Sequence, residues 1–233
     1  MATATYIARR GELETYFDRT AVEAWKRLTS DAPVGRVRAT VRAGRDMTRA
    51  TLLSWLPQDL SGARVLDAGC GSGALAIEAA KRGADVLAID LSPSLVKLAQ
   101  ERAPQDLGAG RVTFAVGDML DAELGRFDHV VAMDSLIHYR GADIAHTLAS
   151  LARRTSGLIV FTVAPRTTAL TVMLAVGAIF PRGDRAPAIA PISKEVLEDY
   201  VRGERDLDGW NFMRQRRVDS GFYISQALEL ARP

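Results

Sequence analysis

Three acidic residues stand where short β-rich runs end, and a glycine loop follows the first of them. The run Val65-Leu66-Asp67-Ala68-Gly69-Cys70-Gly71-Ser72-Gly73-Ala74 leaves a predicted strand and opens a predicted helix. In that context a glycine-rich loop binds a nucleotide. Gly69, Gly71 and Ala74 also satisfy dinucleotide-loop spacing with its permitted alanine, so spacing alone leaves NAD open. The charge at Asp67 points elsewhere: a carboxylate there repels a pyrophosphate but suits a ligand carrying an ammonium and a sulfonium. Asp90 ends the next run 23 residues on, where a carboxylate can accept both ribose hydroxyls. Gly117-Asp118-Met119 ends the third, so Asp118 is expected to accept from an adenine amino group and Met119 to cover the ring. Helix capping explains Asp118 alone, but not three acidic strand ends along one sheet edge.

A second group follows the fourth run, in Met133-Asp134-Ser135-Leu136-Ile137-His138-Tyr139. His138 falls on the same edge and can hydrogen-bond an acceptor; its plainer reading is a structural histidine. Arg166, at the end of the fifth run, can meet a carboxylate or be an ordinary surface arginine. Arg36, Arg38, Arg42, Arg45 and Arg49 face only Asp31 and Asp46 between residues 31 and 50. They form either a solvated face or a rim that attracts an anionic substrate or surface. Cys70 is the single cysteine, which excludes an internal disulfide and a cysteine-based metal site. It reads as a small residue that the tight loop tolerates, and it places the chain inside the cell.

These residues need a scaffold, and the chain is long enough to supply one. At 233 residues, 48% hydrophobic and 25% charged, it is an ordinary globular chain able to bury roughly 70% of its unfolded surface. The net charge of +2 gives no global attraction for nucleic acid. No signal-peptide pattern opens the sequence, and the uncharged run Thr167–Pro181 falls short of a membrane span. An apolar face predicts a helix over Glu12–Thr29, and a second is expected over Arg45–Trp55. Strands are expected at Arg64–Ala68, Asp85–Ile89, Val112–Val116, His129–Ala132 and Leu158–Val163. Between them fall helices at Gly73–Arg82, Pro93–Arg102 with Ser92 as cap, and Ala142–Arg153. This alternation predicts a parallel sheet with helices on both faces. Trp210–Val218 and Phe222–Leu230 then read as a hairpin joined by Asp219-Ser220-Gly221.

The motifs DAGCGSG (67–73), AIDLS (88–92) and VGDM (116–119), with the terminal hairpin, resemble the class I S-adenosylmethionine (SAM) methyltransferases over roughly residues 62–163. The flanking segments resemble one family within them, the magnesium-protoporphyrin IX O-methyltransferases. These segments are ETYFDRTAVEAWKRLTSD (14–31), MDSLIHY (133–139), FTVAPRTTALTVMLAVGAIFP (161–181) and RVDSGFYISQALEL (217–230). The resemblance implies an α/β, Rossmann-like, mostly parallel seven-stranded sheet with an antiparallel C-terminal hairpin. It implies an N-terminal helical cap over residues 1–60 and a SAM-binding core over 61–233 that includes a substrate-covering segment over 164–205. The implied cofactor contacts are Tyr16, Asp67, Ala68, Gly69, Cys70, Gly71, Asp90, Leu91, Ser92, Asp118, Met119 and Met133. His138, Tyr139 and Arg166 are implied around the acceptor, and Phe17 is expected to close over SAM beside Tyr16.

The implied reaction esterifies a porphyrin propionate, already ionised at neutral pH, and so needs alignment more than a base. The expectation is no catalytic metal, with magnesium present only inside the porphyrin; axial ligation of that ion by His138 is the lesser alternative. One departure is Thr29, where family members commonly carry a tyrosine; Tyr16 and Tyr139 are the nearest aromatic substitutes. Three rivals stay open: a methyltransferase for another hydrophobic carboxylate or quinone-like molecule, a non-catalytic porphyrin carrier, and, more distantly, an RNA methyltransferase. The last lacks the Asn/Asp-Pro-Pro-aromatic motif of amino-group methylation, and no nucleic-acid partner is expected. The implied setting is cytoplasmic, with peripheral contact at the inner membrane and handover from magnesium chelatase.

Overall fold

The computed structural model describes residues 2–20, 35–168, 170–171 and 188–232. Helix α1 spans Ala4–Thr15 and α2 spans Arg36–Trp55. Alternation then begins with β1 (Arg64–Ala68), α3 (Ala74–Lys81), β2 (Asp85–Asp90), α4 (Pro93–Arg102) and β3 (Arg111–Val116). It continues through β4 (His129–Ala132), α5 (Gly141–Ala152) and β5 (Ile159–Val163). Helix α6 (Lys194–Arg202) precedes the paired strands β6 (Asn211–Ser220) and β7 (Tyr223–Ala231). The seven strands lie in the order β3-β2-β1-β4-β5-β7-β6. Strands β1 to β5 pair in parallel, and β7 runs antiparallel to both of its neighbours.

The period-2 alternation of each central strand divides the core between the two faces of the sheet. Val65, Val131, Val160 and Ala227 pack with Leu52 and Leu53 of α2, with Leu56 just after it, and with Leu75, Ala76 and Ala79 of α3. Leu66, Val130, Phe161 and Leu228 point the other way, towards Ile144 and Leu148 of α5, Leu197 of α6, and Tyr6 and Leu13 of α1. The strands are near-continuous apolar runs because both faces are covered. Helix α2 is thus one layer of the sheet's covering, while α1 lies across the opposite side.

The structure departs from the sequence reading at several boundaries. Helix α2 begins at Arg36, not Arg45. Its first turns carry little apolar surface and are held by docking on the hairpin: Ser220 Oγ donates to the Thr40 carbonyl at 3.0 Å. Gly44 lies so close that a Cβ there would sit 2.4 Å from the Tyr223 ring. Helix α1 begins at Ala4, capped by Thr3, whose hydroxyl accepts from Tyr6 N at 3.0 Å. It ends in a π-turn over Tyr16–Thr20, so the expected helix Glu12–Thr29 is described only to residue 20. In the hairpin, Asp219 and Ser220 pair with Ile224 and Tyr223, leaving the two-residue turn Gly221-Phe222. Gly221 adopts φ +61°, which a glycine accepts without strain. The tryptophan segment at 21–29 lies outside the described residues, as does the expected lid run Thr168–Phe180 except at 168, 170 and 171.

Candidate active site

The carboxyl ends of β1, β2, β3 and β4 lie on one edge, and the strand order reverses between β1 and β4, where α/β sheets hold ligands. A cleft with about 940 Å³ of empty space, open at its mouth, occupies this point. Asp67 forms its floor. It is only 1% exposed, and its Oδ2 has no hydrogen-bond partner among the described residues. Burial, reinforced by the nearby charge of Asp90, pushes its carboxyl up to about 7, against the opposing N–H of Ala76 in the first turn of α3. A buried carboxylate with one oxygen left open at a cleft fits a cationic group, and the ammonium of SAM is one.

The loop after Asp67 turns back over the cleft. Gly69 has φ +83°, and a Cβ there would stand 2.4 Å from Cβ of Ser135, so the β1 and β4 loops touch at this point. The hydroxyl of Ser135 is a second buried polar atom without a partner among the described residues. Asp90 is held from both sides: Gly71 N donates to Oδ2 at 2.8 Å and Ser92 N to Oδ1 at 3.0 Å. Burial raises its carboxyl on balance, against the opposing effect of these N–H groups. Fixed in this way, Asp90 can accept ribose hydroxyls with its remaining lone pairs. Leu91, Met119 and Met133 add apolar wall. Cys70 lines the cleft too, and burial pushes its thiol well up, the state of an unreactive cysteine.

His138 and Tyr139 reach the same cleft from the loop after β4, and both are nearly buried. Nδ1 of His138 lies 3.4 Å from the Ala188 carbonyl, and the Phe17 ring stands edge-on at 5.9 Å. A carbonyl only accepts, so at this contact Nδ1 bears hydrogen and Nε2 is the other donor-acceptor position. Tyr139 stacks on Tyr6 of α1 at 4.8 Å. Burial together with the Asp118 charge pushes its phenol up, so it stays protonated.

Five expected site residues do not line the cleft. Asp118 is engaged by α1: its Oδ1 accepts from Tyr6 OH at 2.6 Å and Leu120 N at 2.9 Å, and Oδ2 accepts from Arg10 at 2.8 Å. Asp118 thus anchors α1, and Met119 beside it faces the cleft. Tyr16 caps the end of α1, where the widened turn presents Phe17 to the cleft while the Tyr16 ring meets Phe17 edge-on at 5.1 Å. Ser92 is fully buried as the cap of α4, accepting from Leu95 N at 3.2 Å, and so holds Asp90 from behind. Ala68 is buried inside β1. Arg166 is exposed, and its backbone N–H donates to the Ile192 carbonyl at 3.2 Å. The cations on the cleft wall, among the described residues, are Arg45 and Arg49 of α2. Their cluster is visible in the sequence, but which members turn inward depends on where α2 packs.

The topology and the cleft floor together define a class I SAM-dependent methyltransferase, and a family profile described as "Methyltransferase domain" matches residues 65–156. A second profile, "Magnesium-protoporphyrin IX methyltransferase C-terminus", matches residues 132–232. The chain is 50% identical to the magnesium-protoporphyrin O-methyltransferase of Rhodobacter capsulatus, over 96% of this chain and 97% of that one. It is 34% identical to the Synechocystis enzyme of the same name, over 93% and 94%. The crystal structure of magnesium protoporphyrin IX methyltransferase from Synechocystis with bound S-adenosylhomocysteine (SAH) superposes with a TM-score of 0.83 at 29% identity, covering 96% of this chain and all of that one. The chain belongs to the magnesium-protoporphyrin IX methyltransferase family.

Proposed function

We infer that this protein transfers the methyl group of SAM to a propionate carboxylate of magnesium protoporphyrin IX, giving the monomethyl ester for chlorophyll or bacteriochlorophyll synthesis. The observation that carries this reading is kinship over 96% of this chain with an enzyme of that name, joined to a cleft whose floor is a buried carboxylate with one oxygen unpartnered among the described residues. SAM supplies an electrophilic methyl carbon: the carboxylate oxygen forms the new bond as the carbon–sulfur bond breaks, leaving an ester and SAH. The chain's own residues bind, orient and exclude water. Asp67 takes the ammonium, Asp90 the ribose hydroxyls, and Met119 and Leu91 lie against the adenine. An ionised propionate needs no general base, so His138 serves to hold it in line with the methyl. With Nδ1 turned to Ala188, Nε2 is the ring nitrogen that can meet the acceptor. Phe17 and Tyr139 close the apolar wall, which strengthens the attraction between carboxylate and sulfonium.

The proposed domain division keeps 61–233 as the SAM-binding core with 164–205 covering the substrate. The poor solubility of a porphyrin favours direct receipt from magnesium chelatase. Membrane contact in this reading is peripheral, with exposed Arg36 and Arg38 offering charge to an anionic surface. No helix among the described residues is long and apolar enough to cross a membrane.

Incubation of the purified protein with SAM and magnesium protoporphyrin IX tests the function, with monomethyl ester and SAH quantified together. Equal accumulation of both supports it. Tight porphyrin binding with neither product would show a carrier instead.

A further inference from the structure

The turn between β6 and β7 carries an aromatic side chain that the fold does not require. Of its two central residues, Gly221 takes φ +61° while Phe222 stays outside the left-handed region, so the backbone makes no demand on the second position. Phe222 is nevertheless a large apolar side chain and is 55% exposed. Helix α2 reaches the same corner. Gly44 meets the Tyr223 ring and Thr40 meets Gly221, so the next turn back, with Val37, runs past the tip of the hairpin. Val37 has no sheet left to pack on and is 50% exposed. The charges around these two side chains are largely of one sign. Residues 36–42 and 216–223 hold five arginines against Asp219 alone, and Arg36, Arg38, Arg216 and Arg217 are exposed. Because β7 runs antiparallel to β5, its first residue, Tyr223, stands at the carboxyl edge of the sheet, where its hydroxyl donates to Asp134 at 2.9 Å. The corner therefore lies on the edge that holds the cleft.

We propose that Phe222 and Val37, framed by Arg36, Arg38, Arg216 and Arg217, form an anchor that docks the protein on an anionic lipid bilayer. The inference rests on the peripheral contact of the proposed function and assigns it a surface. Two apolar side chains cover far less than the roughly 800 Å² per partner that a stable protein interface buries. A bilayer asks for no matching shape: single apolar side chains enter its interface while the surrounding cations meet the headgroups. Arginines attract anionic headgroups from about a Debye length away, and the apolar pair then holds the contact at short range. The orientation follows from the fold. Docking through this corner turns the cleft edge of the sheet towards the lipid, where a flat apolar acceptor partitions.

The test is sedimentation with vesicles of phosphatidylcholine alone or with about 30% phosphatidylglycerol, in about 0.1 M salt. Wild-type protein should bind the anionic vesicles and not the neutral ones, and about 0.5 M salt should weaken binding about tenfold or more. Phe222→Ser should lower the partition coefficient about three- to tenfold through lost apolar burial. Arg36→Gln with Arg38→Gln should lower it about 25-fold, roughly fivefold for each charge. Arg202→Gln removes an exposed arginine from α6, on the other face of the sheet, and should bind within about twofold of wild type. None of these side chains lines the cleft. Turnover of detergent-dispersed porphyrin should therefore match wild type in all variants, while turnover of porphyrin loaded into anionic vesicles should fall with binding. No binding of wild-type protein to anionic vesicles overturns the anchor. So does wild-type binding by Phe222→Ser or by the paired arginine variant, or a loss in Arg202→Gln as large as one corner charge causes. Failure of wild-type protein to form ester from either porphyrin preparation overturns the functional reading instead, and sedimentation is read without it.

Discussion

Replacing Asp67 with asparagine should stabilise the ligand-free protein while crippling cofactor binding. The carboxyl is raised by burial from 3.8 to about 7, a displacement worth about 4 kcal/mol between its neutral and ionised forms. A folded-state value above the unfolded one leaves stability untouched below about pH 4, where both states are protonated. Stability is lost as pH climbs, and the full cost is felt above about 7. Asparagine removes that cost but leaves a buried amide short of partners, worth about 1–3 kcal/mol in the other direction. The net gain at pH 8 should be about 1–3 kcal/mol, or roughly 2–10 °C in Tm for a chain of this size. At pH 5, where the folded wild-type carboxyl is mostly protonated, the advantage should largely vanish. Binding moves oppositely: loss of the charged partner to the ammonium should weaken SAH by about 10- to 150-fold. Thermal melts at both pH values and calorimetry with SAH at pH 8 measure the two effects. A lower Tm at pH 8, or an SAH affinity within threefold of wild type, would refute the assignment of Asp67 as the ammonium site.

Four further outcomes follow from the same geometry. Because the ammonium requires ionised Asp67, the Kd for SAH should rise as pH falls below about 7, by at most about tenfold per unit. Binding at pH 6 should release protons, and a flat profile from pH 5.5 to 8 would contradict this. His138→Ala should lower kcat by about 10- to 150-fold, the loss of one charge-assisted hydrogen bond, with SAH affinity within about twofold of wild type. Gly69→Ala places a Cβ 2.4 Å from Ser135 at φ +83° and should cost about 2 kcal/mol or more in urea unfolding; Ser135→Gly should restore part of it. Tyr6→Phe removes the hydroxyl bound to Asp118 and should cost about 1–2 kcal/mol, seen as faster amide exchange along Ala4–Thr15.

The alternation of short apolar runs with helices determined the layered sheet, and β1, β4 and α4 fall at the boundaries that their composition dictates. The gathering of the glycine loop, Asp67 and Asp90 at one sheet edge was equally legible, because the position of a residue at a strand end is a local property. Tertiary structure decided the rest. The same type of strand-end aspartate lines the cleft at Asp67 and anchors α1 at Asp118, because Tyr6 and Arg10 arrive from more than a hundred residues away. Arg166 was a reasonable candidate by position along the chain, yet it faces outward. Arg45 and Arg49 belong to a cluster whose inward members only the docking of α2 on β7 selects. Local pattern sets which residues a strand or helix can offer to a site. Which of them arrive there is fixed by long-range packing, where partners distant in sequence compete for the same side chains.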